Sequence, residues 1–300
     1  MTDYDQLIDA ETWAFIRKTD SCYPPDAVGL DIAGQRRVYD AMCRAFFAGY
    51  PDGLSVRDLA VGGVPCRLYA RGAPEATVVY FHGGGFVVGG LDSHDDVCAE
   101  ICDRTGLRVL AVDYRLVPEH PHPAPFDDSL AATRAAAALW PGTLLLAGDS
   151  AGGNLAAAVA HAARAGGPRI DGVVLIYPGL GGEMTRGSYL DHAEAPMLTT
   201  RDVAFYAQVK GATRDDDPTH APLRDTDFSN LPPTRIWVAE CDPLADDGTA
   251  YLARLQAAGV PARLTVSRGL VHGHLRARHS VTRARAAFDE VIAGLVELAA

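Results

Sequence analysis

The sequence predicts an α/β fold, a mostly parallel sheet of eight strands flanked by helices and topped by a helical cap. Three observations predict it. Short apolar runs alternate with helical stretches from residue 54 onward. The later runs are apolar throughout rather than alternating, as expected for strands covered on both faces. A chain of 300 residues with 48% apolar content also suits one large domain with an accessory part.

The expected strands are Leu54–Leu59, Val64–Tyr69, Thr77–Phe81, Arg108–Val112, Thr143–Ala147, Gly172–Tyr177, Arg235–Ala239 and Ala262–Val266. Between them lie helix signals. Ser93 is placed to cap a helix carrying Val97 and Ile101 on one face. A helix from about Asp246 stops at Gly259, with Pro261 just beyond. The last helix aligns Val281, Ala284, Phe288, Val291 and Leu295 in one stripe.

Two segments stand outside the alternation. Residues 1–50 read as helices preceding the first strand, and residues 179–230 interrupt the pattern with a polar stretch and a short helix near Arg201–Lys210. An insertion after a central strand is where such sheets carry their ligand site. The expected division is therefore N-terminal cap helices over 1–50, a main domain over 51–178 and 231–300, and a cap insertion over 179–230.

Composition narrows the partners. A net charge of −11 argues against nucleic acid and against an acidic membrane surface. The acidic N-terminus lacks the cationic and apolar regions of a signal peptide, and no stretch approaches the roughly 20 apolar residues that span a bilayer. Cysteines 22, 43, 66, 98, 102 and 241 show neither C-x-x-C nor zinc spacing and read as buried thiols. The expectation is a cytoplasmic protein with no metal.

Gly148–Asp149–Ser150–Ala151–Gly152 lies between a strand and an Ala-rich helix, the setting in which G-x-S-x-G presents a nucleophilic serine. Alone, the pentapeptide also suits a phosphate-binding helix start. His82–Gly83–Gly84–Gly85 follows another strand, and glycines there let backbone amides turn toward an anionic oxygen. Gly84 and Gly85 are the preferred donors, joined by the amide of Ala151, with Gly83 included. His82 is expected to orient the loop. The glycines carry no G-x-G-x-x-G or Walker pattern.

A serine hydroxyl needs a histidine to take its proton and a carboxylate to fix that histidine's tautomer. The order after the nucleophile is acid, then histidine. His272 is preferred to His274, since it follows a strand and Gly273 lets the loop bend. Asp242, just past the strand Arg235–Ala239 and stiffened by Pro243, is preferred as the acid. Asp246 and Asp247 read as caps of the next helix.

With these residues in view, the chain resembles the hormone-sensitive-lipase family of α/β-hydrolase carboxylesterases. The resemblance rests on His82–Gly85, Asp113–His120, Phe126–Asp128, Gly148–Gly153, Asp242–Leu244 and His272–Gly273, in family order, and covers roughly residues 54–300. It implies an eight-stranded sheet, a mainly helical cap, no cofactor, and Ser150, Asp242 and His272 as the triad of a serine esterase acting on short-chain acyl esters through an acyl-enzyme. The prolines, Arg115 and carboxylates of the Asp113–Asp128 stretch read as a buried framework behind the site. Where the family commonly has an aromatic residue this chain has His274, expected at the pocket rim. A homodimer through an edge strand or the last helix is compatible with the resemblance. Amidase, lactonase or deacetylase chemistry on the same triad, and a non-catalytic ligand receptor, remain as alternatives.

Overall fold

The computed structural model describes residues 2–25, 29–211 and 217–300. Residues 26–28 and 212–216, inside the two segments expected as caps, lie outside the described residues. Among the described residues eight strands are present: β1 (Ser55–Val61), β2 (Val64–Ala70), β3 (Thr77–Phe81), β4 (Arg108–Val112), β5 (Leu144–Asp149), β6 (Gly172–Ile176), β7 (Thr234–Cys241) and β8 (Ala262–Val271). They form one sheet in the order β1-β2-β4-β3-β5-β6-β7-β8. Gly62 and Gly63, at φ 62° and 82°, supply the two left-handed residues of the β1–β2 hairpin turn. β2 runs antiparallel to β4, and every later pairing is parallel.

The two-residue period of each strand sorts its side chains onto two faces. Val79, Phe81, Leu144, Leu146, Val173 and Leu175 pack with Leu155 and Tyr251 on one side. These last two belong to helices α6 (Ala151–Ala163) and α9 (Ala245–Ala257). Val78, Tyr80, Leu145, Ala147, Val174 and Ile176 pack on the other side with Cys98 of α4 (Asp95–Thr105) and Phe288 of α10 (Thr282–Ala299). Burial on both faces is why the central strands carry no polar alternation. In α10, Ala284, Phe288, Val291 and Leu295 are all buried, as the stripe predicts.

Three local expectations are corrected. Strand β8 runs five residues beyond Val266, because β7 stays beside it through an irregularity that ends with Cys241 opposite Val271. Ser93 does not cap α4; its hydroxyl is spent within a tight turn, donating to the Gly90 carbonyl at 2.8 Å, and His94 holds the cap position. Asp246 and Asp247 begin α9 but reach away from it. Asp246 Oδ2 accepts the Ser188 amide at 2.8 Å. Asp247 Oδ2 accepts the amides of Leu180, Gly181 and Gly182 at 2.6, 3.1 and 3.2 Å, and its Oδ1 accepts the Tyr189 hydroxyl at 3.0 Å.

The chain before β1 forms α1 (Tyr4–Leu7), α2 (Ala10–Asp20) and α3 (Ile32–Phe46), whose starts are capped by Asp3, Asp9 and Asp31. Between β6 and β7 lie α7 (Ser188–Asp191) and α8 (Thr200–Lys210), the latter begun by a reciprocal Thr199–Asp202 cap. The two segments touch where the Tyr4 hydroxyl meets His192 Nδ1 at 3.2 Å. Among the described residues no helix is long and apolar enough to cross a membrane.

Burial pushes the Asp247 carboxyl up to about 6, against the hydrogen bonds that pull it down. Removing this side chain strands four donors inside the protein. Asp247→Ala is expected to cost about 3 kcal/mol in urea unfolding, and Asp246→Ala, at an exposed position, less than about 1. Equal losses would remove Asp247 as the main anchor of residues 180–189.

Candidate active site

The site is organised by a crowded crossing at the end of β5. Ser150 sits between β5 and α6 at φ 54° and ψ −117°, a conformation that costs a non-glycine residue energy. Its neighbours show what holds it there. A Cβ on Gly152 would lie 1.9 Å from the Phe81 carbonyl oxygen, and one on Gly148 would lie 2.4 Å from the backbone of Gly152. Only glycine lets the turn press so closely against β3. The Ser150 amide donates to the Ile176 carbonyl at 2.9 Å, and Ser150 lines the cavity.

The last pairing of the sheet brings up the other two residues. Cys241 and Val271 stand opposite each other, so the next residue on each strand, Asp242 and His272, emerges side by side. His272 Nδ1 lies 2.7 Å from Asp242 Oδ2, and His272 Nε2 lies 2.9 Å from Ser150 Oγ. Asp242 is fully buried, and its other oxygen accepts the Leu244 amide at 2.9 Å. His272 therefore stands at a strand end rather than several residues into a loop. The Tyr177 ring packs against it at 4.8 Å between centroids.

The glycine loop divides by its contacts. Gly84 and Gly85, at φ 124° and 60°, line the cavity in front of Ser150, as does Ala151. No hydrogen bond among the described residues uses their amides. Gly83 does not belong with them. Its amide is spent on Asp149 Oδ1 at 3.0 Å, so it has no proton to offer an oxyanion. His82 stacks on Tyr114 at 4.2 Å, and the Tyr114 hydroxyl donates to the His82 carbonyl at 2.6 Å. Burial holds the His82 ring down to about 4, which suits a positioning residue.

Asp149, unassigned by sequence reasoning, ties these parts together. Its carboxylate meets the Tyr80 hydroxyl at 2.9 Å, the Gly83 amide and His94 Nε2 at 3.2 Å. Burial alone would raise its pKa. The charge of His94, its hydrogen bond, the more distant Arg276 and Tyr80 overcome that and hold it well below the usual carboxylate range. Its signal was available as the second residue of the Gly148–Gly152 motif, next to the nucleophile.

Ser150 and His272 open into a cavity of about 640 Å³. Tyr39 and Met42 reach it from α3, and Met184, Met197 and Tyr206 from the segment between β6 and β7. Tyr206 lies where a Cβ on Gly85 would sit, 2.3 Å from its ring. Arg276 also lines the cavity and was missed by sequence reasoning; the signal is its spacing of four from His272. The Asp113–Asp128 stretch is corrected in part: Arg115 Nη2 donates to Asp128 at 2.8 Å, but Arg115 and Glu119 are exposed rather than buried, because their partners Asp128 and Arg36 lie at the surface side of the stretch.

His274 is corrected. It is buried rather than placed at the rim, with Nδ1 3.0 Å from the Val271 carbonyl, and it packs edge-on against Tyr177. Burial, reinforced by His272, lowers its pKa from 6.5 to about 4. A histidine depressed in the folded state contributes stability above pH 6.5 that is lost as pH falls through about 4. The loss of stability between pH 7 and pH 4 should be smaller in His274→Phe by about 2–3 kcal/mol. Unchanged acid sensitivity in urea titrations would contradict this placement.

Comparison with known proteins places the chain. The α/β-hydrolase-fold family profile matches residues 78–276. Esterase LipI of Mycobacterium tuberculosis is 39% identical over 241 residues, covering 74% of this chain and 75% of that one. Ethyl acetate hydrolase of Pseudomonas putida is 33% identical over 293 residues, covering 91% and 90%. The solved structure of a bacterial heroin esterase superposes with a TM-score of 0.88 at 29% identity, covering 98% and 99%. With a family profile over most of its length and relatives at 39% and 33% identity, the chain belongs to the α/β-hydrolase-fold family.

Proposed function

We propose that the protein is a serine carboxylesterase that hydrolyses short-chain acyl esters through an acyl-enzyme. The observation that carries the reading is the continuous path Asp242–His272–Ser150, with contacts of 2.7 and 2.9 Å, facing the open amides of Gly84, Gly85 and Ala151. Relatives named as esterases and an ester hydrolase at 39% and 33% identity support the reaction class.

Each step follows from a named atom. Asp242 accepts a hydrogen bond from the Nδ1–H of His272, which keeps the proton on Nδ1 and leaves Nε2 free to act as a base. Nε2 takes the Ser150 hydroxyl proton as Oγ attacks the ester carbonyl. The oxygen that gains charge is met by the amides of Gly84, Gly85 and Ala151, fixed before the reaction by the turn and the loop. Collapse expels the alcohol, which takes the proton from Nε2. Water, deprotonated by the same nitrogen, then releases the acid and restores Ser150. The segments 1–50 and 179–230 act as the cap, closing apolar side chains such as Met42 and Met197 over the acylated serine.

Ser150→Ala should lower p-nitrophenyl acetate turnover by at least about a thousandfold without loss of folding. Near-wild-type turnover in that variant would overturn the assignment. Across an acyl series from acetate to palmitate, kcat/KM should be highest among the short chains. A rise toward palmitate would reject the short-chain assignment.

A further inference from the structure

Arg276 occupies an unusual position for a charged side chain. It lies four residues past His272, in the 3-10 turn His274–His279, and its guanidinium enters the cavity that holds Ser150. One Nη donates to the Tyr39 hydroxyl, and the guanidinium carbon sits 5.0 Å from the Tyr39 ring centroid. Its Nε–H is buried and has no acceptor. Among the described residues it forms no ion pair.

The carboxylates that share the cavity are committed elsewhere. Asp149 is taken by Tyr80, Gly83 and His94. Asp247 holds the Leu180–Gly182 amides, and Asp202 caps α8. Asp20, at the exposed end of α2, forms no ion pair with Arg276. The Arg276 guanidinium thus has only the more distant, already committed Asp149 carboxylate as counter-charge and keeps donors free, and its planar fork matches a carboxylate.

We propose that Arg276 binds an ionised carboxylate on the substrate, so that the site prefers esters bearing a second, free carboxyl group. This rests on the esterase reading above and adds a substrate class to it. The overall charge of −11 disfavours anions at a distance. Arg276 reverses that preference locally, a few residues from the base. The shared chemistry is a carboxylate; it is carried on the acyl half, as in a dicarboxylic monoester, or on the alcohol half, as in an acylated hydroxy acid.

The test compares matched pairs. In the first arm, the p-nitrophenyl monoester of adipic acid is set against its methyl-capped diester. In the second, 4-acetoxybenzoate is set against its methyl ester. The readout is the ratio of kcat/KM for the charged ester over the neutral one. Wild type should favour the charged ester in at least one arm. Arg276→Gln should lower that ratio roughly tenfold to a hundredfold, chiefly through KM, with Arg276→Lys between. A wild-type ratio at or below one in both arms overturns the proposal, as does an unchanged ratio in Arg276→Gln.

Binding is checked apart from turnover by calorimetric titration of adipate and of benzoate into the Ser150→Ala protein, with the neutral amides as controls. Tighter binding of at least one acid than of its amide supports the proposal, and no difference for either acid overturns it. This arm holds even where Arg276→Gln fails to fold. If no ester is hydrolysed at all but an acid binds, the reaction is wrong and the anion site stands. Hydrolysis of the neutral esters with no selectivity for charge leaves the esterase reaction standing and overturns the anion site.

Discussion

The close approach of the β5–α6 turn to the end of β3 is the constraint on which the rest of the site depends. A single methyl group on Gly152 would collide with the Phe81 carbonyl at 1.9 Å. Because that space is empty, α6 starts directly behind the glycine loop and Ser150 is forced into its left-handed conformation. The amides of the loop and of the helix then share one small volume. Strain at Ser150 is borne by the two layers of apolar packing that fix β3 and β5 in the centre of the sheet.

A second tier of polar contacts keeps the arrangement rigid without entering the cavity chemistry. Asp149 joins β3, the glycine loop and His94, while Asp247 gathers the backbone of residues 180–182. Both carboxylates are buried, yet their charges are handled differently. Neighbouring positive charge holds Asp149 ionised, whereas burial lifts Asp247 to about 6. The buried imidazoles of His82 and His274 sit near 4 and add no competing charge beside His272.

Much of this was legible in the sequence, for a physical reason. Strands buried on both faces leave continuous apolar runs, so the central strands were located, β3 and β4 at their observed ends. Ser150, Asp242 and His272 were legible because glycines and strand ends mark the turns that carry them. What escaped depended on partners distant in the chain. The extra length of β8 comes from its pairing with β7, not from its own mixed composition. The Gly83 amide was misassigned because its acceptor, Asp149, lies 66 residues away. Asp247 resembled a helix cap until its true partners, near residue 181, were folded against it. Arg276 carries no local signal except its distance from His272.

The register of β8 against β7 has a consequence for how activity is acquired. β8 is one of the two edge strands of the sheet and, among the described residues, pairs with β7 alone. Side chains alternate along a strand, so a slip of one residue would turn the imidazole to the opposite face. The other parts of the centre, from the serine turn to the glycine loop, lie on inner strands that do not need β8. A chain with β8 displaced by one residue would keep the serine turn and the glycine loop but lose the proposed partner His272 from beside them. Turnover is therefore expected to depend on the exact register of one edge strand as well as on the core.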